Sequence, residues 1–147
     1  MNAYIVYYVH AEVMHPQPHL SFVIINADQA TFEESYVKFL AGGKEIGRFY
    51  WSNIIGYNLH VPETPTAKRL YLLINKQRIP ISMPLGNPSD YDGHVTFIDP
   101  KAIDSGALFG AFKSEYVLAQ CLREFETSFE FETSFEFKAS NTTNAPA

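Results

Sequence analysis

Cysteine is nearly absent: Cys121 is the only one in 147 residues. One thiol cannot close an intramolecular disulfide, and a cysteine-rich metal site is excluded with it. The setting Val117-Leu118-Ala119-Gln120-Cys121-Leu122 fits a packed helix face, so the thiol reads as a small buried apolar group. Long apolar runs are also missing. None approaches the ~18 residues of a membrane-crossing helix, so no transmembrane segment is expected. Met1-Asn2-Ala3-Tyr4 lacks the positive charge of a secretory leader, and His10 and Glu12 interrupt the apolar stretch behind it. The default expectation is a cytoplasmic protein. An excess of positive charge is missing too. The net charge is −5, but residues 124–138 hold five Glu against one Lys, while residues 1–123 hold ten Lys or Arg and eleven Asp or Glu. A near-neutral body is not that of a general nucleic-acid binder.

Signatures of catalysis are lacking as well. The stretch Gly106 to Gly110 has no Lys-Ser/Thr end to cradle a phosphate. Ser52, Ser82 and Ser105 have no nucleophile-elbow context. Glu33 and Glu34 are neighbours, which on a strand point to opposite faces. His10, His15 and His19 lie near Glu12 and supply the residue types of a metal site or a small active site. Their spacing argues against it, since His15 and His19 straddle Pro16 and Pro18 and no rigid element aims three ligands together. Asn87, Asp90 and Asp92 before Gly93 resemble a calcium loop without its bidentate Glu, and read as a turn. The expectation is no cofactor, no metal and no catalytic residues.

What the chain does have is aromatic side chains, with twelve Phe and nine Tyr, which together with β-branched residues favour strands. Tyr4 to Val13 and Leu20 to Ile25 read as strands, separated by prolines that each remove a ladder donor. Thr31 to Ala41 fits either a capped helix or the start of a hairpin that turns at Gly42-Gly43 and returns through Ile46 to Trp51. The β-formers Tyr36 and Val37 tip the balance to the hairpin. Gly47 to Val61 reads as strand, turn, strand, with Trp51 and Ile54 buried at the turn. The clearest hairpin runs from Arg69 to Ile74 and Arg78 to Met83 around Asn75-Lys76-Gln77. Pro84 to Gly93 reads as a loop, and His94 to Ile98 as a short strand. From Ala107 the apolar residues Leu108, Phe112, Tyr116, Leu118, Cys121, Leu122 and Phe125 recur at steps that suit one amphipathic helix. The fold class is therefore α+β and β-dominated: a twisted antiparallel sheet or partly open barrel packed by one C-terminal helix. Residues 1–123 form one domain, 124–138 a repeat, and 139–147 a disordered tail.

The segment Gly43-Lys44-Glu45-Ile46-Gly47-Arg48-Phe49-Tyr50-Trp51-Ser52-Asn53-Ile54-Ile55-Gly56-Tyr57 resembles a stretch of bacterial pleckstrin-homology-like domains. There a strand ends in an aromatic residue, followed by a small polar residue and an Ile that turns the chain inward. The hairpin Arg69 to Met83 and the helical pattern Leu108 to Phe125 follow in the matching order. The resemblance covers residues 35–125. It implies a partly open barrel capped by the last helix, and no catalytic residues.

Two features bear on function. The hexad Glu-Phe-Glu-Thr-Ser-Phe runs from Glu124 to Phe129 and repeats unchanged from Glu130 to Phe135, with a third copy begun at Glu136-Phe137. Six is even, so as a strand the repeat has one face of Phe125, Phe129, Phe131, Phe135 and Phe137 and an opposite face of Glu. A strand from 124 to 138 would be about 50 Å long, more than a small domain covers, so Phe129, Phe131, Phe135 and Phe137 are candidates for self-association. The second feature is the cluster Lys68, Arg69, Lys76 and Arg78, four of the body's ten cations on one hairpin. It offers an anionic ligand a site, solvates a sheet edge, or pairs with the acidic repeat. The functional expectation is a non-catalytic binding or protein-interaction module. The alternatives are an assembly protein joined through the repeat, and a small enzyme built on the His10/His15/His19 region.

Overall fold

Gly42 and Gly43 both take positive φ, 59° and 78°, where an L side chain is strained, and they turn the chain between Tyr36–Ala41 and Lys44–Tyr50. This hairpin is one of several tight turns that build the protein. The computed structural model describes residues 1–10, 19–61, 68–84, 86–101 and 107–125. The strands are β1 (Asn2–His10), β2 (His19–Ala27), β3 (Gln29–Phe32), β4 (Tyr36–Ala41), β5 (Lys44–Tyr50) and β6 (Gly56–Leu59). They continue with β7 (Lys68–Ile74), β8 (Gln77–Met83), β9 (Asn87–Tyr91), β10 (His94–Ile98) and β11 (Leu108–Lys113). A helix, α1, covers 119–125 within the described residues.

The strands form a six-stranded antiparallel sheet in the order β2-β1-β6-β11-β10-β9, a three-stranded sheet β3-β4-β5, and the two-stranded β7-β8. The two small sheets cover opposite faces of the large one. Tyr4, Val6, Tyr57 and Ala111 pack with Val37, Phe39 and Trp51 on one side. Tyr7, Val95, Phe97 and Phe112 pack with Leu70, Leu72, Ile81, Met83 and Phe125 on the other. The result is three stacked layers, and the sheets do not close into a barrel. Burial on both faces explains why the central strands read as continuous apolar runs. Asn58 sits fully buried in β6 and ties the layers together: its Nδ2 donates to Ser82 O of β8 at 3.1 Å.

The expected hairpins are present, and Thr31 to Ala41 resolves as the end of β3 and β4, with no helix there. Trp51 and Ile54 are buried as expected. Three expectations are corrected. The long helix from Ala107 is a strand followed by a short helix, because β11 lies between β6 and β10 in the sheet centre. Leu108 and Phe112 are four apart, which suits one face of a helix, but a bulge opposite Phe97 and Ile98 turns them to opposite faces of the sheet. Pro84 to Gly93 is not all loop: Asn87 to Tyr91 forms β9, turning through Asp92-Gly93 into β10. The sheet edge accepts Pro88, whose missing donor would break an interior ladder. The β7–β8 turn is Asn75-Lys76 alone, both at positive φ, and Gln77 already pairs with Ile74. Phe125 is fully buried, so the core takes in the start of the repeat beyond residue 123.

Gly110 shows how closely the central strands approach. A Cβ there would stand 2.6 Å from Tyr57 O, a backbone atom that cannot rotate away. Gly110→Ala is expected to cost about 1–3 kcal/mol in denaturant unfolding by overpacking the β6–β11 pair. An unchanged midpoint would place that contact elsewhere.

Candidate binding surface

Edge strands expose unpaired backbone groups, and proteins blunt them with charge, proline or short length. In this molecule β9 carries Pro88 and Asp90, β8 carries Pro80, β7 begins Lys68-Arg69, and β5 carries Lys44, Glu45 and Arg48. The β3 edge is four residues long. The exception is β2. Its nine residues, His-Leu-Ser-Phe-Val-Ile-Ile-Asn-Ala from His19 to Ala27, include no proline and no Asp, Glu, Lys or Arg. It pairs with β1 along its whole length and, among the described residues, with nothing on its other side. Its middle is apolar and open to solvent, with Phe22 59%, Val23 38% and Ile24 55% exposed.

The register with β1 sets which way these side chains face. Leu20, Phe22 and Ile24 stand opposite Val9, Tyr7 and Ile5, so all six share the face that carries β7-β8. The hairpin does not reach the sheet edge there, which leaves a cleft of about 290 Å³ lined by Ile5, Tyr7, Leu20, Phe22, Ile79 and Pro80, with His60 at its rim. Desolvation holds the Tyr7 phenol well above the ordinary tyrosine pKa, so the cleft presents no phenolate. Backbone donors and acceptors at the edge thus lie beside an apolar trough. An extended peptide can pair with β2 and place alternate side chains in the trough.

A second cleft, about 540 Å³, lies over Phe32, Glu33, Glu34, Tyr91 and Asp92. Trp51, Phe32 and His94 pack together there at tilted and edge-on angles, with Trp51 to His94 at 4.5 Å and Phe32 to Trp51 at 4.7 Å. Trp51 Nε1 donates to Glu33 O at 2.8 Å, and His94 Nδ1 donates to Asp92 O at 2.9 Å. These bonds staple β3 and the β9–β10 turn onto the sheet, so the aromatic cluster has a structural use already.

The basic hairpin separates into two pairs. Lys68 and Arg69 begin β7, while Lys76 and Arg78 lie at the turn, about 20 Å away along the strand. Arg78 makes an ion pair with Glu124, the first residue of the repeat, and stands 5.2 Å over the Tyr71 ring. His10 and His19 meet across β1 and β2 with ring centroids 5.2 Å apart, and His15 lies outside the described residues. Among the described residues, no three His, Cys, Asp or Glu side chains converge as a metal site would require. Phe129, Phe131, Phe135 and Phe137 lie outside the described residues, as do 139–147. No described helix is long and apolar enough to cross a membrane, which says nothing about strands.

The sequence reading missed the β2 surface. It found the strand, but edge position depends on the order of strands in the sheet, which pattern alone does not give. The signal was present in Phe22-Val23-Ile24-Ile25, an apolar run without alternation and without a gatekeeping charge. A comparison with family models, with curated proteins and with solved structures finds no match for this chain.

Proposed function

We propose that this protein is a non-catalytic interaction module that binds an extended, partly apolar peptide by adding it as a strand to β2. The observation that carries this reading is the open β2 edge: nine residues without charge or proline, with Phe22 and Ile24 more than half exposed beside an apolar trough. Main-chain pairing supplies affinity in such a site, and alternate side chains in the trough supply selectivity. The resemblance of residues 35–125 to pleckstrin-homology-like domains is compatible with this proposal, since it implies binding without catalytic residues. The anionic-ligand reading of Lys68, Arg69, Lys76 and Arg78 is weaker, because the cations stand in two separated pairs and Arg78 already holds Glu124.

The test uses a fluorescein-labelled Thr-Phe-Thr-Val-Thr-Phe-Thr peptide and anisotropy. The full chain is expected to bind it, and Phe22→Lys with Ile24→Lys to lose at least about tenfold in affinity, or ~1.4 kcal/mol. Both side chains are exposed, so the fold should tolerate the change within about 0.5 kcal/mol per site. Equal binding by the double variant would remove β2 from the function.

A further inference from the structure

The pairing of β1 with β2 brings two histidines together. His10 ends β1, His19 begins β2, and the two are direct partners across the pair. Partners so placed share one face of the sheet, with Cβ atoms ~4.5–5.5 Å apart. Their ring centroids are 5.2 Å apart, the ring planes stand at 83°, and both residues are exposed. His10 follows Tyr4, Val6 and Tyr8 in the alternation of β1, so the pair belongs to the face that carries β3-β4-β5. The peptide trough, bordered by Ile5 and Tyr7, lies on the other face.

The spacing is that of a chelate. An imidazole nitrogen binds a divalent transition ion at about 2.0–2.1 Å, and two such ligands meet at square-planar to tetrahedral angles. Two rings on one ion then have centres roughly 4.5–5.2 Å apart. The observed 5.2 Å is the tetrahedral end of that range. The rings are not stacked face to face, and exposed rings turn about their side-chain bonds without moving the backbone. The paired strands already fix the two backbones, so binding an ion orders little more. A permanent structural or catalytic ion takes three or four protein ligands, and no such group is present among the described residues. Two imidazoles leave the remaining positions to water, which makes the ion exchangeable. Imidazole suits zinc, copper and nickel, whereas magnesium and calcium take oxygen ligands.

We propose that His10 and His19 form an exchangeable two-imidazole site for a divalent transition cation, zinc or copper(II), which clamps the end of the β1–β2 pair. An ion that binds only when the strands are paired stabilises the folded chain by mass action. The site is independent of the peptide reading, because it uses the opposite face of β1 and β2.

Two measurements on the full-length chain test it. Copper(II) is paramagnetic and broadens the NMR signals of nearby amides. Below one equivalent, broadening is expected to centre on Val9, His10, His19 and Leu20. Calorimetry reads zinc affinity. His10→Gln and His19→Gln are each expected to weaken zinc binding at least about tenfold, because losing one ligand forfeits the tethered second contact. The double variant is expected to fall little further, since one imidazole does not chelate. Both side chains are exposed, so the metal-free thermal midpoint should be unchanged. Magnesium at the same concentration is expected to leave the spectrum unchanged. Broadening centred on Met1 or His60, zinc affinity that ignores both substitutions, or an equal response to magnesium would overturn the site.

Discussion

Phe125→Ala is expected to lower the unfolding free energy by about 3–5 kcal/mol, the usual cost of removing a buried ring. The ring is fully buried among Phe97, Leu70, Leu72 and Val117 in the core that β7-β8 and the helix close over the large sheet. Glu124→Gln next to it should cost less than about 1 kcal/mol, because its ion pair with Arg78 is partly solvated, the side chains being 46% and 31% exposed. The contrast decides what fastens Glu124 and Phe125 to the body: the buried ring more than the ion pair. Urea unfolding of both variants measures the difference. A loss below about 1 kcal/mol for Phe125→Ala would mean that the helix end is not part of the core.

Trp51→Ala is expected to cost a similar ~3–5 kcal/mol on the opposite face of the sheet. Trp51 stacks on Tyr57 with centroids 6.3 Å apart, contacts Phe32 and His94, and donates its indole N–H to Glu33 O. Trp51→Phe keeps most of the packing and gives up that hydrogen bond, so about 1 kcal/mol is the expected loss. Trp51 is the only tryptophan, so native fluorescence reports on it alone. A blue-shifted emission that moves red on unfolding is expected. Emission of a fully hydrated indole in the native protein would contradict its burial.

Both expectations show where the sequence was legible. Trp51 and Ile54 follow a strand of β-formers and precede a glycine, and bulky apolar residues at such a turn have nowhere to go but inward. The β4–β5 and β7–β8 hairpins were legible because Gly42-Gly43 and Asn75-Lys76 are residues that accept positive φ between two matching runs. A helix over 119–125 was legible, but not where it starts. Leu108 and Phe112 hold helical spacing, and only the partners β6 and β10 choose the strand, whose bulge turns the two residues to opposite faces. β9 was hidden by the turn-forming residues Asn87, Pro88 and Asp90, which an edge strand accepts and a central strand does not. The binding surface was the least legible part. Whether Phe22, Val23 and Ile24 are covered depends on which strand ends the sheet, a property of topology.

Among the described residues, Tyr57 OH, Asn58 Oδ1 and His94 Nε2 are buried without a hydrogen-bond partner, and burial drives the Tyr57 phenol far above its ordinary pKa. Tyr57 and Asn58 sit in the central strand β6, and His94 opens β10 against Trp51. They cost stability without facing the β2 trough, which keeps the proposed function a matter of backbone pairing and apolar fit.

The most direct measurement is a ¹H–¹⁵N NMR titration of the full-length chain with unlabelled Thr-Phe-Thr-Val-Thr-Phe-Thr peptide. Strand addition at β2 predicts that the largest amide shifts fall on residues 20–26, with smaller ones on Ile79, Ile81 and Ser82 across the trough. Shifts that spare β2 and gather at Phe32, Tyr91 and Asp92, or at the Asn75-Lys76 turn, would contradict it.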